Sequence, residues 1–156
     1  MESVHKKTYK QKVYLKNVTP FEVIKSFHNY DFVKFLTAFQ PVKINSWTGI
    51  DNNKSASFSF WFFGWKTFSV IHKNYDAKKN HLYFEDHGVE IPFGLNTWKH
   101  VHSVEEYLGG SVIYDSVTIN SSSSIKKIFI YPIMLFPIFI RHLSYKVWFY
   151  FREGQS

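Results

Sequence analysis

Two histidines and a tryptophan alternate in Trp98-x-His100-x-His102, and an aspartate, Asp115, follows across a Gly109-Gly110 pair. On a strand, residues two apart project from one face, so the indole and both imidazoles would share a wall. A His-x-His pair can hold a transition metal if a third donor comes from elsewhere; Asp86, His87, Glu90, Asp115 and His142 are the candidates. A carboxylate beside one imidazole can instead orient it and raise its pKa, as a general base requires. The simplest reading is a buried polar pair that satisfies its own hydrogen bonds, with no metal and no catalytic role.

The hairpin register decides what Asp115 can do. With Gly109-Gly110 as the two-residue turn, Tyr107 opposes Val112, Val104 opposes Asp115 and His102 opposes Val117. Asp115 then lies diagonal to His102 on the same face. A longer turn that includes Leu108 moves the pairing by one residue and sends Asp115 to the other face. Nothing else in the chain makes a catalytic constellation. Gly64, Gly88 and Gly94 are isolated, so no phosphate-cradling loop exists, and serines cluster only at 121–124. Asp86 and Glu90, flanking His87, read as solvated loop carboxylates. Arg141 and His142 could meet an anionic head group, but Arg141 is expected to face solvent.

The elements that position these residues follow from spacing. Gln11, Val13 and Leu15 alternate with lysines, which predicts a first strand over 8–17 with one solvated face. Thr19, Pro20 and Glu22 make a capping box with proline at the first helical position. The helical signal runs to Phe39, breaks at 29–31, and stops at Pro41. Alternating runs then predict strands over 42–47, 55–63, 66–74, 81–88, 96–107 and 111–120. Their short connections imply an antiparallel meander. A long terminal helix, kinked or entered late because of Pro132 and Pro137, reaches residue 151, with an apolar stripe of Ile133, Phe136, Ile140, Leu143, Val147 and Phe151.

That order is an α+β domain, and 156 residues suit a single one. Seventeen Phe, ten Tyr and five Trp exceed what a tight core of this size needs. They suit a ring-walled cavity between a curved sheet and the terminal helix, although a solid phenylalanine-rich core has the same composition. Trp61, Phe63, Phe68, Phe84, Trp98, Phe136, Phe139 and Tyr145 are the candidate wall, with His100, His102 and Asp115 as its polar groups. Rings on both parities of 58–65 leave room for a homodimer.

The net charge is +7, with Lys6, Lys7, Lys10, Lys12 and Lys16 near the start. Lysines of this kind blunt a sheet edge. No nucleic-acid-binding motif accompanies them, so no nucleic acid is expected as a partner. The absence of cysteine excludes disulfides and thiolate chemistry. No apolar leader opens the sequence, so a soluble, cytoplasmic protein is expected. The run 128–140 is short for a membrane span and carries Pro132 and Pro137, which favours a buried helix over stable membrane insertion.

These features together resemble the SRPBCC superfamily, the START-like helix-grip proteins related to the birch-pollen allergen. The likeness is strongest to its bacterial ligand-binding, polyketide cyclase-like branch, where "GPF…WxHxHxF…GGTxxxDxVxY" recurs. Here Pro92-Phe93-Gly94 is followed by Trp98, His100, His102 and Val104, then by Gly109, Gly110, Ser111, Asp115, Val117 and Ile119. Val104, Ser111 and Ile119 depart from the pattern's Phe, Thr and Tyr. The resemblance spans Thr8 to Phe151. It implies a curved antiparallel sheet wrapped around a long C-terminal helix, and a hydrophobic cavity between them. It implies no cofactor and no particular reaction, since the superfamily includes lipid carriers, hormone binders and aromatase/cyclases. The function expected is therefore binding of a lipid-, polyketide- or isoprenoid-like molecule. The alternatives are a cyclase or dehydratase using His102 and Asp115 as acid and base, and a peripheral membrane or protein-interaction module.

Overall fold

The computed structural model describes residues 5–152. Strand β1 (His5–Lys16) carries its lysines outward and buries Val13 and Leu15. Helix α1 (Pro20–Phe27) starts with the capping box: Glu22 N–H donates to Thr19 Oγ1 at 3.3 Å, and Thr19 N–H donates to the Glu22 carboxylate at 2.6 Å. Helix α2 (Tyr30–Thr37) restarts where Asn29 Oδ1 accepts from Asp31 N–H at 2.9 Å, at the break the spacing predicts. Six strands follow: β2 (Val42–Trp47), β3 (Ser55–Trp61), β4 (Trp65–Lys78), β5 (His81–Glu90), β6 (Thr97–Tyr107) and β7 (Gly110–Ser121). The chain ends in α3 (Ser124–Phe139), α4 (Arg141–Val147) and a π-helical turn (Trp148–Arg152).

The seven strands form one antiparallel sheet in the order β1-β7-β6-β5-β4-β3-β2. The meander places β2 to β7 in sequence, and β1 closes beside β7. Two apolar clusters fill the space between the sheet and the helices. One joins Val13, Leu82 and Val104 to Phe27, Phe32, Tyr145 and Trp148. The other joins Val70, Trp98 and Ile119 to Tyr131, Met134 and Ile138.

The terminal helix is interrupted, dividing into α3 and α4 at Ile140, three residues after Pro137, and its inner face differs from the predicted one. Its buried side is Tyr131, Met134, Leu135, Ile138, Tyr145, Trp148 and Phe149, the face opposite the predicted stripe. Phe136, Leu143 and Phe151 of that stripe are exposed instead. The helix is apolar all round, so periodicity alone could not choose its inner face. The 24 residues Ile128–Phe151 are long and apolar enough to cross a membrane by length and composition, beyond the short run read from sequence.

The β6–β7 register corrects both expected pairings. Tyr107 pairs with Gly110, and the turn is Leu108-Gly109, at φ 42° and 73°. Left-handed values at both turn residues match the twist of a two-residue hairpin. Gly110 is needed for a different reason: a Cβ there would stand 2.1 Å from the Leu15 carbonyl oxygen of β1. The shift keeps the parity of the Gly-Gly turn but sets Asp115 directly opposite His102.

Gly109→Ala, with open space around its Cβ, should cost only about 1 kcal/mol through its positive φ. Gly110→Ala must push β1 away and should cost about 3 kcal/mol or more. Urea unfolding of the two variants checks this ordering, and equal losses would contradict it.

Candidate functional site

A belt of polar side chains crosses the otherwise apolar inner face of the sheet. It runs through five neighbouring strands by direct cross-strand pairs: Gln11 with Asp115, Asp115 with His102, His100 with Asp86, and Asp86 with His72. On each strand the belt residue shares parity with buried apolar neighbours, such as Val70 beside His72 and Phe84 beside Asp86. It lies between the two apolar clusters, with Trp98 on one side of the histidines of β6 and Val104 on the other.

Hydrogen bonds connect the belt. His100 Nε2 donates to Asp115 Oδ1 at 2.8 Å. His102 Nε2 donates to Asp86 Oδ2 at 2.9 Å, and its Nδ1 stands 3.1 Å from Asp115 Oδ1, poorly aligned for a hydrogen bond. His72 Nδ1 meets Asp86 Oδ1 at 2.7 Å. The other oxygen of Asp115 accepts from Gln11 Nε2 at 3.1 Å and from the Tyr145 hydroxyl at 3.2 Å. Phe84 stacks on His102 with ring centroids 4.3 Å apart.

Burial works against ionising Asp86 and Asp115. The histidines overcome it: charge and hydrogen bonds from His102 and His72 hold Asp86 well below the usual carboxylate range, and His100 and His102 do the same for Asp115. His102 is raised despite its burial, because both carboxylates stabilise its charged form. His100 is pushed down to about 4 by burial and by the charge on His102. The two imidazoles are therefore shifted in opposite directions, His102 toward its charged form and His100 toward its neutral form. Burial and the nearby Asp115 push the Tyr145 hydroxyl well above its ordinary value.

Arg141 supplies a second cation. It lines the cavity rather than facing solvent as expected, with the Tyr145 hydroxyl near enough to favour its charge. The helix break at Ile140 precedes it by one residue. Two cavities meet at Arg141. The first, about 90 Å³, is bounded by Phe27, Phe84 and Trp98 and by the polar side chains of His72, Asp86, His100 and His102. The second, about 180 Å³, extends under α3 between Phe60, Trp61, Met134 and Phe136. Phe58, Phe68, Trp98, Ile138 and Arg141 border both.

Of the candidate wall, Phe68, Phe84, Trp98, His100 and His102 line the first cavity, and Trp61 and Phe136 rim the second. Phe63 and Phe139 line neither. Phe63 sits at the β3–β4 hairpin tip, 84% exposed, and Phe139 lies on the outer side of α3. Tyr145 and Asp115 are fully buried behind the imidazoles and act through them. Among the five third-donor candidates, Asp86 and Asp115 reach the histidine pair. His87 hydrogen-bonds Glu85 instead, and His142 bonds the Phe139 carbonyl. Asp86 is on a strand, not in a solvated loop, since β5 pairs it with His72 on one side and His100 on the other. His72 and Gln11 escaped notice as functional residues; the available signal was a polar side chain at an inward, apolar parity.

No family model matches this chain, and no curated protein matches it. Solved structures do. Norcoclaurine synthase from Thalictrum flavum, in complex with dopamine and hydroxybenzaldehyde, superposes with a TM-score of 0.66 at 14% identity, covering 95% of this chain and 90% of that one. Another structure of the same enzyme gives a TM-score of 0.65 at 15% identity, over 91% and 85% of the two chains. Protein Ms6760 from Mycobacterium smegmatis gives 0.57 at 13% identity, over 88% and 83%. The chain has the helix-grip fold that these structures share. In this fold the polar belt lies across the sheet's inner face, where the helices cover it.

The opposite shifts of the two histidines give a signed pH dependence. His100 binds its proton more weakly when folded, so its contribution to stability falls as pH drops from about 6.5 toward about 4. His102 binds its proton more tightly when folded, so its contribution is full below about 6.5 and is lost as pH rises through its raised value. The urea midpoint, measured with chelator present, should peak near pH 6.5. A flat profile from pH 4 to 8 would contradict this assignment. Asp115→Ala removes one of the two carboxylates that favour the charged form of His102 and should cost about 3–5 kcal/mol in the same assay.

Proposed function

We propose that this protein binds a small amphipathic molecule, its apolar body in the cavity under α3 and an anionic end at Arg141. The observation that carries this reading is the position of Arg141, a guanidinium at the junction of two ring-lined cavities. Tyr145, Asp115 and Asp86 all favour its charge electrostatically, and Asp115 and Asp86 are engaged by the histidines. The planar donor fork suits a carboxylate. A cavity of about 180 Å³ compares with the roughly 150 Å³ that admits benzene in an engineered apolar site. A single ring with a short acidic side chain is the size that fits. Burying such a ring contributes about 3–4 kcal/mol. That size class agrees with the single-ring molecules in the norcoclaurine synthase complex.

Acid–base chemistry on the bound molecule is the second reading. The observation favouring it is the His102–Asp86 pair, 2.9 Å apart and at the cavity wall. Asp115, the partner expected from sequence, orients the imidazoles from behind.

Isothermal titration with hydrocinnamate and with the corresponding neutral alcohol tests the binding reading. Hydrocinnamate should bind more tightly. Arg141→Met should weaken it about tenfold to a hundredfold and leave the alcohol within about twofold. Native mass spectrometry of freshly purified protein should show a small acidic adduct. Absence of both binding and adduct would sink the proposal.

A further inference from the structure

Asp86, His100 and His102 present one donor atom each to a common point, all within 4.8 Å of one another. We propose that these three side chains form a binding site for a divalent first-row transition ion such as Zn²⁺, with an open coordination position toward the cavity. The inference does not depend on which organic molecule the cavity takes.

Three observations support it. The first is spacing. Bonds of about 2.0–2.1 Å in a tetrahedral site put donors about 3.3 Å apart. Asp86 Oδ2 lies 2.9 Å from His102 Nε2 and 3.7 Å from His100 Nδ1, on either side of that value. Small side-chain rotations reach the required geometry.

The second is the way the remaining atoms of these residues are held. His100 Nε2 is bonded to Asp115, and His102 Nδ1 lies 3.1 Å from the same oxygen. One carboxylate thus backs both imidazoles and leaves their other nitrogens turned toward Asp86. The free oxygen of Asp86 is in turn held by His72 at 2.7 Å. Metal-binding histidines and carboxylates are commonly oriented by such partners. Gln11 and Tyr145 then fix Asp115.

The third is the gap between His100 and Asp86. At 3.7 Å the pair is too far apart for a hydrogen bond, and His100 Nδ1 has the Asp86 carboxylate as its neighbour. A cation between them would bridge that gap. Two imidazoles and one carboxylate favour zinc, cobalt or iron over magnesium or calcium. Arg141, on the same cavity, adds positive charge and so favours an anion at the open position.

Chelator-treated wild-type protein, titrated with ZnCl₂ and CoCl₂ by calorimetry, tests this. One ion should bind per chain, raise the thermal midpoint, and, for Co²⁺, give the strong visible absorption of a four- or five-coordinate ion. Asp86→Asn and His102→Gln should each weaken binding at least a hundredfold. His72→Ala, which removes a positioning partner, should weaken it about tenfold to a hundredfold. His142→Gln, on the exposed side of α4, should change nothing. If the belt variants fail to fold, X-ray absorption of the zinc-loaded wild type must show two imidazoles at about 2.0–2.1 Å. No stoichiometric binding, binding unchanged by Asp86→Asn, or a shell without imidazole would each overturn the site. Organic ligand titrations run with chelator present keep this result separate from the fate of the binding proposal.

Discussion

Two carboxylates buried under a β-sheet are the constraint around which this protein is organised. An isolated buried carboxylate costs several kcal/mol, so Asp115, with 1% of its surface exposed, requires partners from the surrounding structure. Strands on both sides supply them. Gln11 comes from β1, the two histidines come from β6, and the helical layer adds Tyr145. Asp86 is met in the same way from β4 and β6. Loss of one partner leaves the others facing uncompensated charge, which couples the strands more tightly than apolar packing alone would.

The belt also explains why the interior is not one continuous core. Apolar contacts gather on either side of it, with α1, α2 and the end of the terminal helix over one half and α3 over the other. The cavities open along this seam, where ring-lined walls meet charged groups that need definite geometry. The fold supplies the enclosing shape, but the particular side chains on the seam set its chemistry.

Much of this was legible in the sequence wherever local parity or spacing decides the outcome. The alternation of Trp98, His100 and His102 put them on one face, and Thr19 with Glu22 marked the start of α1. The same parity rule, applied to Phe84-x-Asp86 and Val70-x-His72, would have placed both polar residues inward. Asp86, although a candidate donor inside the strand expected over 81–88, looks like a loop carboxylate because it stands near the Pro92 turn, and a lone histidine such as His72 among apolar residues looks like core. The hairpin register was not locally decidable. It depends on the approach of Leu15 to Gly110, a contact made by a strand far away in sequence. The inner side of α3 was hidden by apolar residues on every side. Trp61 and Phe63 were drawn toward the cavity by their chemistry, whereas the β3–β4 turn carries Phe63 away from it.

Gln11 has one amide group, and its nitrogen serves two masters: it donates at 3.1 Å to Asp115 and at 2.8 Å to the carbonyl oxygen of Ile138. Ile138 borders both cavities and lies just before the division of the terminal helix. A guest that displaced Ile138 by a fraction of an ångström would therefore tug on the same amide that steadies the buried aspartate. The wall that senses filling and the groups that carry charge are mechanically one part, joined through a single glutamine on the edge strand.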